Sequence, residues 1–400
     1  MSDTFVEVGV HQTRKFGQGA DGDVFLSRKT ADGRIISVLS DGLGSGIKAG
    51  VLATLTASMA LRFIADDIPP KRAARIIMKT LPVCKERRIS YATFTIVDID
   101  NSNRVRIIEY DNPPYLLIRE DTLLEPIKSP IEVKRRGRGS GELAMREQLM
   151  QYTEYQARPG DRIVFYSDGV VQSGMGSRIR PLGWGNPRTQ EYTLKVTQEN
   201  PSISARELAR RLVREAEAHD GYRAKDDISC SVIYFRSPRC LLVISGPPVD
   251  QERDRDMAEY FSRYPGRRVL CGGTTANIIS RELSKPVKVS LRDIDPAVPP
   301  SSIMEGADLV TEGIITLGRV AELLESSAVQ APGTRVNAAT KLVDLLLDSD
   351  KIEFMVGTRI NEAHQDPNMP VELEIRRNIV KRVARILEEK YLKETNIRFI

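Results

Sequence analysis

Short apolar runs, several of them alternating with polar residues, dominate the first 235 positions and predict β-strands. The predicted strands cover residues 5–10, 23–29, 34–40, 91–98, 104–110, 114–119, 162–167 and 228–235. Apolar residues then recur every three or four positions in segments that predict amphipathic helices over 47–64, 71–83 and 204–219. The last of these begins with Ser204 and Glu207 at the spacing of a capping box. Strands before and after paired helices favour β-sheets with helices on their outer faces.

Two segments, 135–150 and 173–190, follow neither pattern and are interpreted as irregular. The first contains the basic cluster Arg135-Arg136-Gly137-Arg138, which fits a solvated loop or a guide for an acidic or phosphorylated partner.

The pattern changes near Ser237-Pro238-Arg239 and predicts a domain boundary there, with domains at 1–237 and 238–400. Beyond it, predicted strands at 241–244, 268–271, 287–289 and 352–356 alternate with predicted helices that include 250–264 and 371–393. This alternation indicates a smaller α/β domain with a partly parallel sheet. The fold class of the whole chain is therefore predicted to be α+β.

Composition narrows the class of protein. A hydrophobic fraction of 41% with 28% charged residues is typical of a soluble globular protein. A net charge of +5 and 6% aromatic residues give no indication of nucleic-acid binding. No run approaches the roughly 18 apolar residues of a membrane span, and the start does not resemble a signal peptide. Four scattered cysteines predict reduced thiols and a cytoplasmic location.

Aspartates mark the ends of several predicted strands. Asp23 and Asp41 lie in the runs Gly22-Asp23 and Ser40-Asp41-Gly42, Asp168 follows a strand, and Asp226-Asp227 precede one. Carboxylates gathered in this way repel one another unless a cation lies between them, and oxygen ligands suit Mg²⁺ and Mn²⁺. The predicted ligands are Asp23, Asp41, Asp168 and Asp226, with Asp227 and Asp21 as weaker candidates, and Gly42 leaves its carbonyl accessible.

Two other interpretations compete with a metal site. Asp-Gly pairs are common in turns, although two Ser-Asp-Gly turns after apolar strands are harder to explain in that way. Gly42-x-Gly44-x-Gly46 lies between a predicted strand and a predicted helix, as a dinucleotide-binding turn would. Its spacing is GxGxG rather than GxGxxG, and Asp41 would place negative charge beside a pyrophosphate.

Together, the motifs from Gly22-Asp23 to Asp226-Asp227-Ile228-Ser229 resemble the SpoIIE-type branch of the metal-dependent protein phosphatases, the PPM family, across residues 1–235. The resemblance implies a β-sandwich flanked by helices, two Mn²⁺ or Mg²⁺ ions, and hydrolysis of phosphoserine or phosphothreonine by a metal-bridging water. It implies that Asp41 bridges the metals and orients the water, and that Asp23, Gly42, Asp168 and Asp226 complete the site. Leu43 stands where eukaryotic members have a histidine acid, and Arg14 and Lys15 are candidates to bind phosphate.

The resemblance also implies a partner, a small phosphoprotein that controls an anti-sigma factor, and regulation through the two helices after Asp41. The second domain is expected to bind a small ligand or to mediate assembly such as a homodimer. Gly272, Gly273, Thr274 and Thr275, between a predicted strand and helix, form a candidate anion site there.

Three functions remain open from the residues alone. They are a protein phosphatase with a regulatory tail, a non-catalytic pseudophosphatase-like scaffold or ligand sensor, and a metal-dependent phosphoesterase for small molecules. The retained carboxylates favour the first.

Overall fold

The computed structural model describes residues 4–44, 46–81, 92–136, 145–290, 295–326, 335–358 and 369–400. The described residues divide into two compact units, one up to Arg236 and the other from Ser237 to Ile400. Each unit has its own sheets and cores.

The first unit contains two antiparallel sheets and the helices that cover them. Its strands are β1 (Phe5–Thr13), β2 (Asp23–Lys29), β3 (Ile35–Gly42), β4 (Ala92–Ile99), β5 (Arg104–Tyr110), β6 (Leu116–Arg119), β7 (Thr122–Leu124), β8 (Ser129–Arg136), β9 (Met145–Gln156), β10 (Arg162–Tyr166) and β11 (Ile228–Arg236). Its helices are α1 (Ile47–Ala65), α2 (Pro70–Thr80), α3 (Asp168–Gln172), α4 (Asn186–Glu199) and α5 (Ala205–His219). Sheet I has the order β1-β11-β10-β6-β7, and sheet II has the order β2-β3-β4-β5-β9-β8.

The two sheets form a sandwich with helices on its outer faces, which confirms the predicted fold class. On sheet II, Ile36 and Val38 pack with α1 and α2, while on sheet I, Val164 and Tyr166 pack with α5. Alternate strand residues point to the other face, and there the rings of Phe25 in sheet II and Phe165 in sheet I lie 6.4 Å apart.

Local sequence explains where two of the outer helices begin. Ser204 caps α5 by accepting the backbone N–H of Glu207 at 3.2 Å, which confirms the capping interaction predicted from the sequence. Helix α1 begins after Gly46, whose φ of 76° is in the left-handed region that favours glycine. Among the described helices, α1 is long and apolar enough to cross a membrane by length and composition alone, and one of its faces is buried on β2 and β3.

The prediction that 135–150 is irregular was wrong for the parts that the structure describes. Arg135 and Arg136 lie in β8, and the segment from Met145 onward lies in β9, which pairs with β8 in antiparallel register. Alternating apolar residues of this hairpin, including Ile131 and Met150, are buried beneath α2. The arginines and glycines between the strands obscured this alternation; residues 137–144 themselves lie outside the described part of the chain, as do 82–91, where the second predicted helix was to end.

The second unit has one sheet, most of it parallel, as predicted. Its strands are β12 (Cys240–Ser245), β13 (Arg267–Cys271), β14 (Lys288–Val289), β15 (Ser302–Ile303), β16 (Leu309–Thr311), β17 (Lys351–Val356) and β18 (Glu394–Phe399), in the order β14-β15-β16-β13-β12-β17-β18. Its helices are α6 (Asp254–Arg263), preceded by a 3₁₀ turn at Gln251–Arg253, α7 (Gly273–Leu283), α8 (Ile314–Ser326), α9 (Ala338–Leu347) and α10 (Met369–Tyr391). Strands β16, β13, β12, β17 and β18 are parallel.

The helices of the second unit divide between the two faces of this sheet. Leu242 and Ile244 of β12 pack with α6 and α7. Leu241 and Val243 of the same strand pack with α8, α9 and α10 on the opposite face. The strand order reverses between β12 and β17, because the chain leaves β12 toward β13 and returns on the other side. At such a point the connecting helices separate and leave a crevice at the carboxyl ends of the strands.

Candidate metal centre

Strand pairing brings the first two predicted ligands together. Asp23 begins β2 and Asp41 lies near the end of β3, and the two are direct partners across the antiparallel pair. Asp168 directly follows Ser167 at the end of β10, and Asp226-Asp227 directly precede β11, which pairs with β10. Segments more than a hundred residues apart in sequence therefore meet at one end of the sandwich.

The carboxylates lie close enough to change one another's ionisation. Burial, followed by the charges of Asp23, Asp168 and Asp226, raises the pKa of Asp41 well above its ordinary value. Burial also raises the pKa of Asp23 to about 7, with the hydroxyls of Ser229 and Ser167 acting in the opposite direction. These shifts express the cost of holding several negative charges in a site with no positive charge between them.

Asp226 and Asp227 have different surroundings although they are adjacent. Burial raises the pKa of Asp226, and the ammonium group of Lys15, 3.8 Å from its Oδ1, acts against that shift. Asp227 instead accepts backbone N–H groups with both oxygens, from Lys15 at 2.9 Å and from Gly22 at 2.8 Å. These bonds give Asp227 a structural task, since they tie β11 to the segment that leads into β2.

Asp21, another residue considered from the sequence, is paired with a basic side chain. Its carboxylate is half-exposed and makes a two-pronged ion pair with Arg14, with N–O distances of 2.6 and 3.0 Å. Arg14 is thereby held by Asp21, whereas Lys15 faces Asp226. The two basic candidates for binding phosphate therefore have different acidic partners, and Lys15 lies beside one of the predicted metal ligands.

Two glycines of the motifs are required by close approach. A Cβ on Gly42 would lie 2.1 Å from the carbonyl oxygen of Ala49, so glycine lets the first turn of α1 pack against the end of β3. A Cβ on Gly169 would lie 2.1 Å from the carbonyl oxygen of Asp227. Each glycine therefore allows one carboxylate-bearing segment to approach its neighbour, which explains why Gly follows Asp in both turns.

The donor set suits a hard divalent cation. The Oδ2 atom of Asp23 is buried and has no hydrogen-bond partner among the described residues, so a buried acceptor is available for a cation. In the described part of the chain, however, no three Asp, Glu, His or Cys side chains converge tightly enough to surround an ion. The carboxylates lie at one end of the sandwich, and the described side chains do not point to a common position.

Sequence reasoning missed several residues around these carboxylates. The backbone groups of Ser167 and Ser229 pair across β10 and β11, and the Oγ of Ser167 accepts the Ser229 N–H at 3.1 Å. Lys15 was considered together with Arg14 as a candidate to bind phosphate, but not as a neighbour of Asp226. The serines of the Ser-Asp-Gly and Asp-Asp-Ile-Ser runs were a usable signal for the first pair, whereas nothing in the spacing indicated which basic residue faces Asp226.

In the second unit, the predicted anion site has one buried member with a structural role. The Oγ1 of Thr275 accepts the N–H of Gly246 at 2.9 Å and so joins α7 to the loop after β12. Gly272 has a φ of 125°, in the region that favours glycine, and Gly273 has open space around its Cβ position. An anion bound at Gly272–Thr275 stays a prediction.

Comparison with known proteins identifies the family to which the first unit is similar. The family model "Stage II sporulation protein E (SpoIIE)" matches residues 31–236, just over half of the chain. The chain belongs to the SpoIIE family. None of the curated protein sequences matches it.

Solved structures of low similarity accompany this match. The phosphatase domain of SpoIIE from Bacillus subtilis, solved with a fragment of its regulatory domain, is 18% identical, with a TM-score of 0.46 over 59% of this chain and 65% of that one. The RsbU and RsbW domains of a Mycobacterium tuberculosis protein are 17% identical, with a TM-score of 0.43 over 64% of this chain and 67% of that one. The serine/threonine phosphatase PstP of that organism is 19% identical, with a TM-score of 0.39 over 58% and 99%.

Proposed function

We propose that this protein hydrolyses phosphoserine or phosphothreonine on a partner protein, using two Mn²⁺ or Mg²⁺ ions held by the first unit. The observation that carries the proposal is the gathering of carboxylates from distant segments at one end of the sandwich. Each negative charge there makes it harder for the neighbouring carboxyl groups to lose their protons, as the raised pKa of Asp41 indicates. Membership of the SpoIIE family supports the same activity.

In this proposal Asp41, which is partnered with Asp23 across the strands and lies beside Asp168, would be a ligand of both ions. Asp23, Asp168, Asp226 and the Gly42 carbonyl complete the site. When bound, the ions supply an activated water and neutralise charge on the phosphoryl group. Asp227 keeps the segments in place through its two backbone hydrogen bonds.

Lys15 is the residue that we propose to orient the substrate phosphate. Its side chain is 30% exposed and its ammonium group lies beside Asp226, so this residue can contact an anion bound at the carboxylates. Arg14 is a poorer candidate because Asp21 engages its guanidinium group. The side chain at Leu43 cannot donate a proton, so the leaving alkoxide takes its proton from water.

A protein substrate, here a small phosphoprotein that controls an anti-sigma factor, is proposed from the family resemblance. Homodimer formation and a cytoplasmic location stay predictions. The alternatives, a small-molecule phosphoesterase and a non-catalytic scaffold, would share most of the site, and the second would be consistent with carboxylates that do not converge on one point.

One assay separates these functions. Phosphate release is measured from a phosphoserine protein, p-nitrophenyl phosphate and a nucleoside monophosphate, each with Mn²⁺, with Mg²⁺ and with EDTA. The proposal predicts activity only with a divalent ion and a kcat/KM that is highest for the phosphoprotein. Preference for the nucleotide would identify a small-molecule phosphoesterase, while inactivity with all three substrates under saturating Mn²⁺ would favour the scaffold. Activity that survives EDTA would contradict a metal-dependent mechanism.

A further inference from the structure

The second unit contains a cavity at the point where its strand order reverses. The cavity has a volume of about 200 Å³ and is lined by Pro248 from the loop after β12, by Met257 and Tyr260 of α6, and by Met355 of β17. Residues at the end of β18, including Ile400, close it on one side. It therefore lies on the α6 side of the sheet, at the carboxyl ends of the strands.

Topology explains why this space exists. Helices α6 and α7 pack on one face of the sheet, while α8, α9 and α10 pack on the other. Since α10 connects β17 to β18 across the second face, the first face of these two strands is covered only in part by α6. Crevices of this kind at the carboxyl ends of parallel strands are where ligands bind in α/β sheets.

The cavity combines an apolar floor with cationic groups. Met257 and Met355 are almost fully buried and form part of the floor. Arg253 and Arg398 line the same cavity, are exposed, and make no ion pair with a carboxylate in the described residues. The guanidinium carbon of Arg398 lies 5.9 Å from the ring centroid of Tyr260. The hydroxyl of Tyr260 donates to Glu353 at 2.7 Å, which holds that ring in place.

The two arginines indicate an anionic ligand. Because the backbone of the nearby turn has few N–H groups to donate, side chains must supply the hydrogen bonds to it. The turn after β12 reads Gly246-Pro247-Pro248, so it lacks the GxGxxG pattern and the prolines have no N–H groups to offer a phosphate. Arginine is well suited to bind phosphate, because its planar group donates two parallel hydrogen bonds. Asp256 adds an acceptor for a hydroxyl or amino group at the same cavity.

The size of the cavity limits what lies inside it. Its volume is below the roughly 300 Å³ at which pockets for whole drug-sized ligands begin. One ring system against the methionines fits, with the anionic group outside at the arginines. We propose that this cavity binds a nucleoside phosphate, with the base against Met257 and Met355, the phosphate on Arg253 and Arg398, and a ribose hydroxyl or base amino group on Asp256.

The full chain is titrated with AMP and with ADP by calorimetry, and thermal unfolding is followed in parallel. EDTA is present throughout, so that no nucleotide binds through a divalent ion at the carboxylates of the first unit. Adenosine and inorganic phosphate are the partial ligands. We expect saturable binding of AMP or ADP and at least about tenfold weaker binding of either partial ligand, since each lacks one half of the contacts.

Arg253→Gln with Arg398→Gln is the test variant, and both side chains are exposed, so the fold is expected to tolerate the change. Arg263→Gln, at the far end of the helix that follows Arg253, is the matched control, because Arg263 is paired with Glu259 and does not line the cavity. The double variant should weaken binding by about tenfold or more and the control should not. Failure of both nucleotides to bind, or binding that survives the double substitution, would overturn the proposal. Equal affinity for inorganic phosphate and AMP would overturn it too, because it would indicate an adventitious anion only.

Discussion

The two units of this protein place charge at the ends of their strands in opposite ways. In the first, antiparallel strands gather carboxylates, of which Asp41 and Asp23 have strongly raised pKa values. In the second, parallel strands end at a cavity that contains Arg253 and Arg398. We propose that the first arrangement binds a cation and that the second binds an anion.

Connectivity accounts for part of this difference. In an antiparallel pair the start of one strand lies beside the end of the next, so Asp23 at a strand start meets Asp41 at a strand end. In the parallel sheet all carboxyl ends share one edge, and the site follows from the strand order. The predictions below test whether charge in each unit has the role that this comparison assigns to it.

The largest effect is expected from Asp41→Asn, which removes the carboxylate that we propose as the ligand of both ions. Phosphate release from a phosphoserine protein in Mn²⁺ should fall about a thousandfold, equivalent to about 4 kcal/mol of transition-state stabilisation. Asp21→Asn is the matched control, because Asp21 is paired with Arg14, and it should keep nearly full activity. Equal losses in the two variants would contradict the assignment of roles.

Next in size is the effect of a methyl group at Gly42. Gly42→Ala places a Cβ 2.1 Å from a backbone oxygen of α1 and should lower the free energy of unfolding by about 3 kcal/mol. Gly273→Ala, at the corresponding strand-to-helix turn of the second unit, meets nothing within 4 Å and should change it little. Urea unfolding measures both. Equal stability of the two variants would contradict the claim that the short distance to α1 requires glycine at position 42.

An effect of similar size is expected from pH. Asp23 has an ordinary pKa of 3.8 that rises to about 7 in the folded protein. Between these values the folded state holds a proton that the unfolded chain has released, so in EDTA stability falls as pH rises. Asp23→Asn should therefore be more stable than wild type by up to about 4 kcal/mol at pH 7.5 in EDTA, and nearly equal to it at pH 4.

Mn²⁺ should reverse the order at pH 7.5, since only the carboxylate binds the ion and stabilises the fold. Thermal unfolding at the two pH values, with and without Mn²⁺, gives the comparison. A stability difference that is independent of pH and of Mn²⁺ would mean that Asp23 has a packing role alone.

The smallest effect concerns substrate binding. Lys15→Met should raise KM for a phosphoprotein about fivefold, the loss of about 1 kcal/mol from one contact with a charged group, and should change kcat less. Arg14→Met should leave KM nearly unchanged because Asp21 already holds that guanidinium group. Steady-state kinetics separates the two, and a larger effect from Arg14 would assign phosphate binding to it instead.

Much of this organisation was predictable from the sequence, for identifiable reasons. Alternation located the strands that carry Asp23 and Asp41 and the strand that ends shortly before Asp168. Both glycine-rich turns fall where the chain must bend or approach another segment closely. The β8–β9 hairpin was missed because its arginines and glycines masked a short alternation. Helix α4 was also missed, and its first residues lie in the segment 173–190 that was expected to be irregular. In the second unit, α9 and β18 were missed.

Partnerships were less predictable than elements. Nothing in the spacing tells that Lys15 faces Asp226 while Arg14 turns to Asp21, because both choices depend on how the loop before β2 folds. The cavity of the second unit could not be predicted from the sequence either. It brings Arg253 and Arg398 together from opposite ends of that unit, and no motif links them.

Calorimetric titration of the full chain with Mn²⁺ is the most direct test of the central claim that the gathered carboxylates form a metal centre. The account predicts that wild type and Asp21→Asn bind two ions per chain, and that Asp41→Asn binds them far more weakly or not at all. Absence of Mn²⁺ binding in wild type, or unchanged binding in Asp41→Asn, would contradict it.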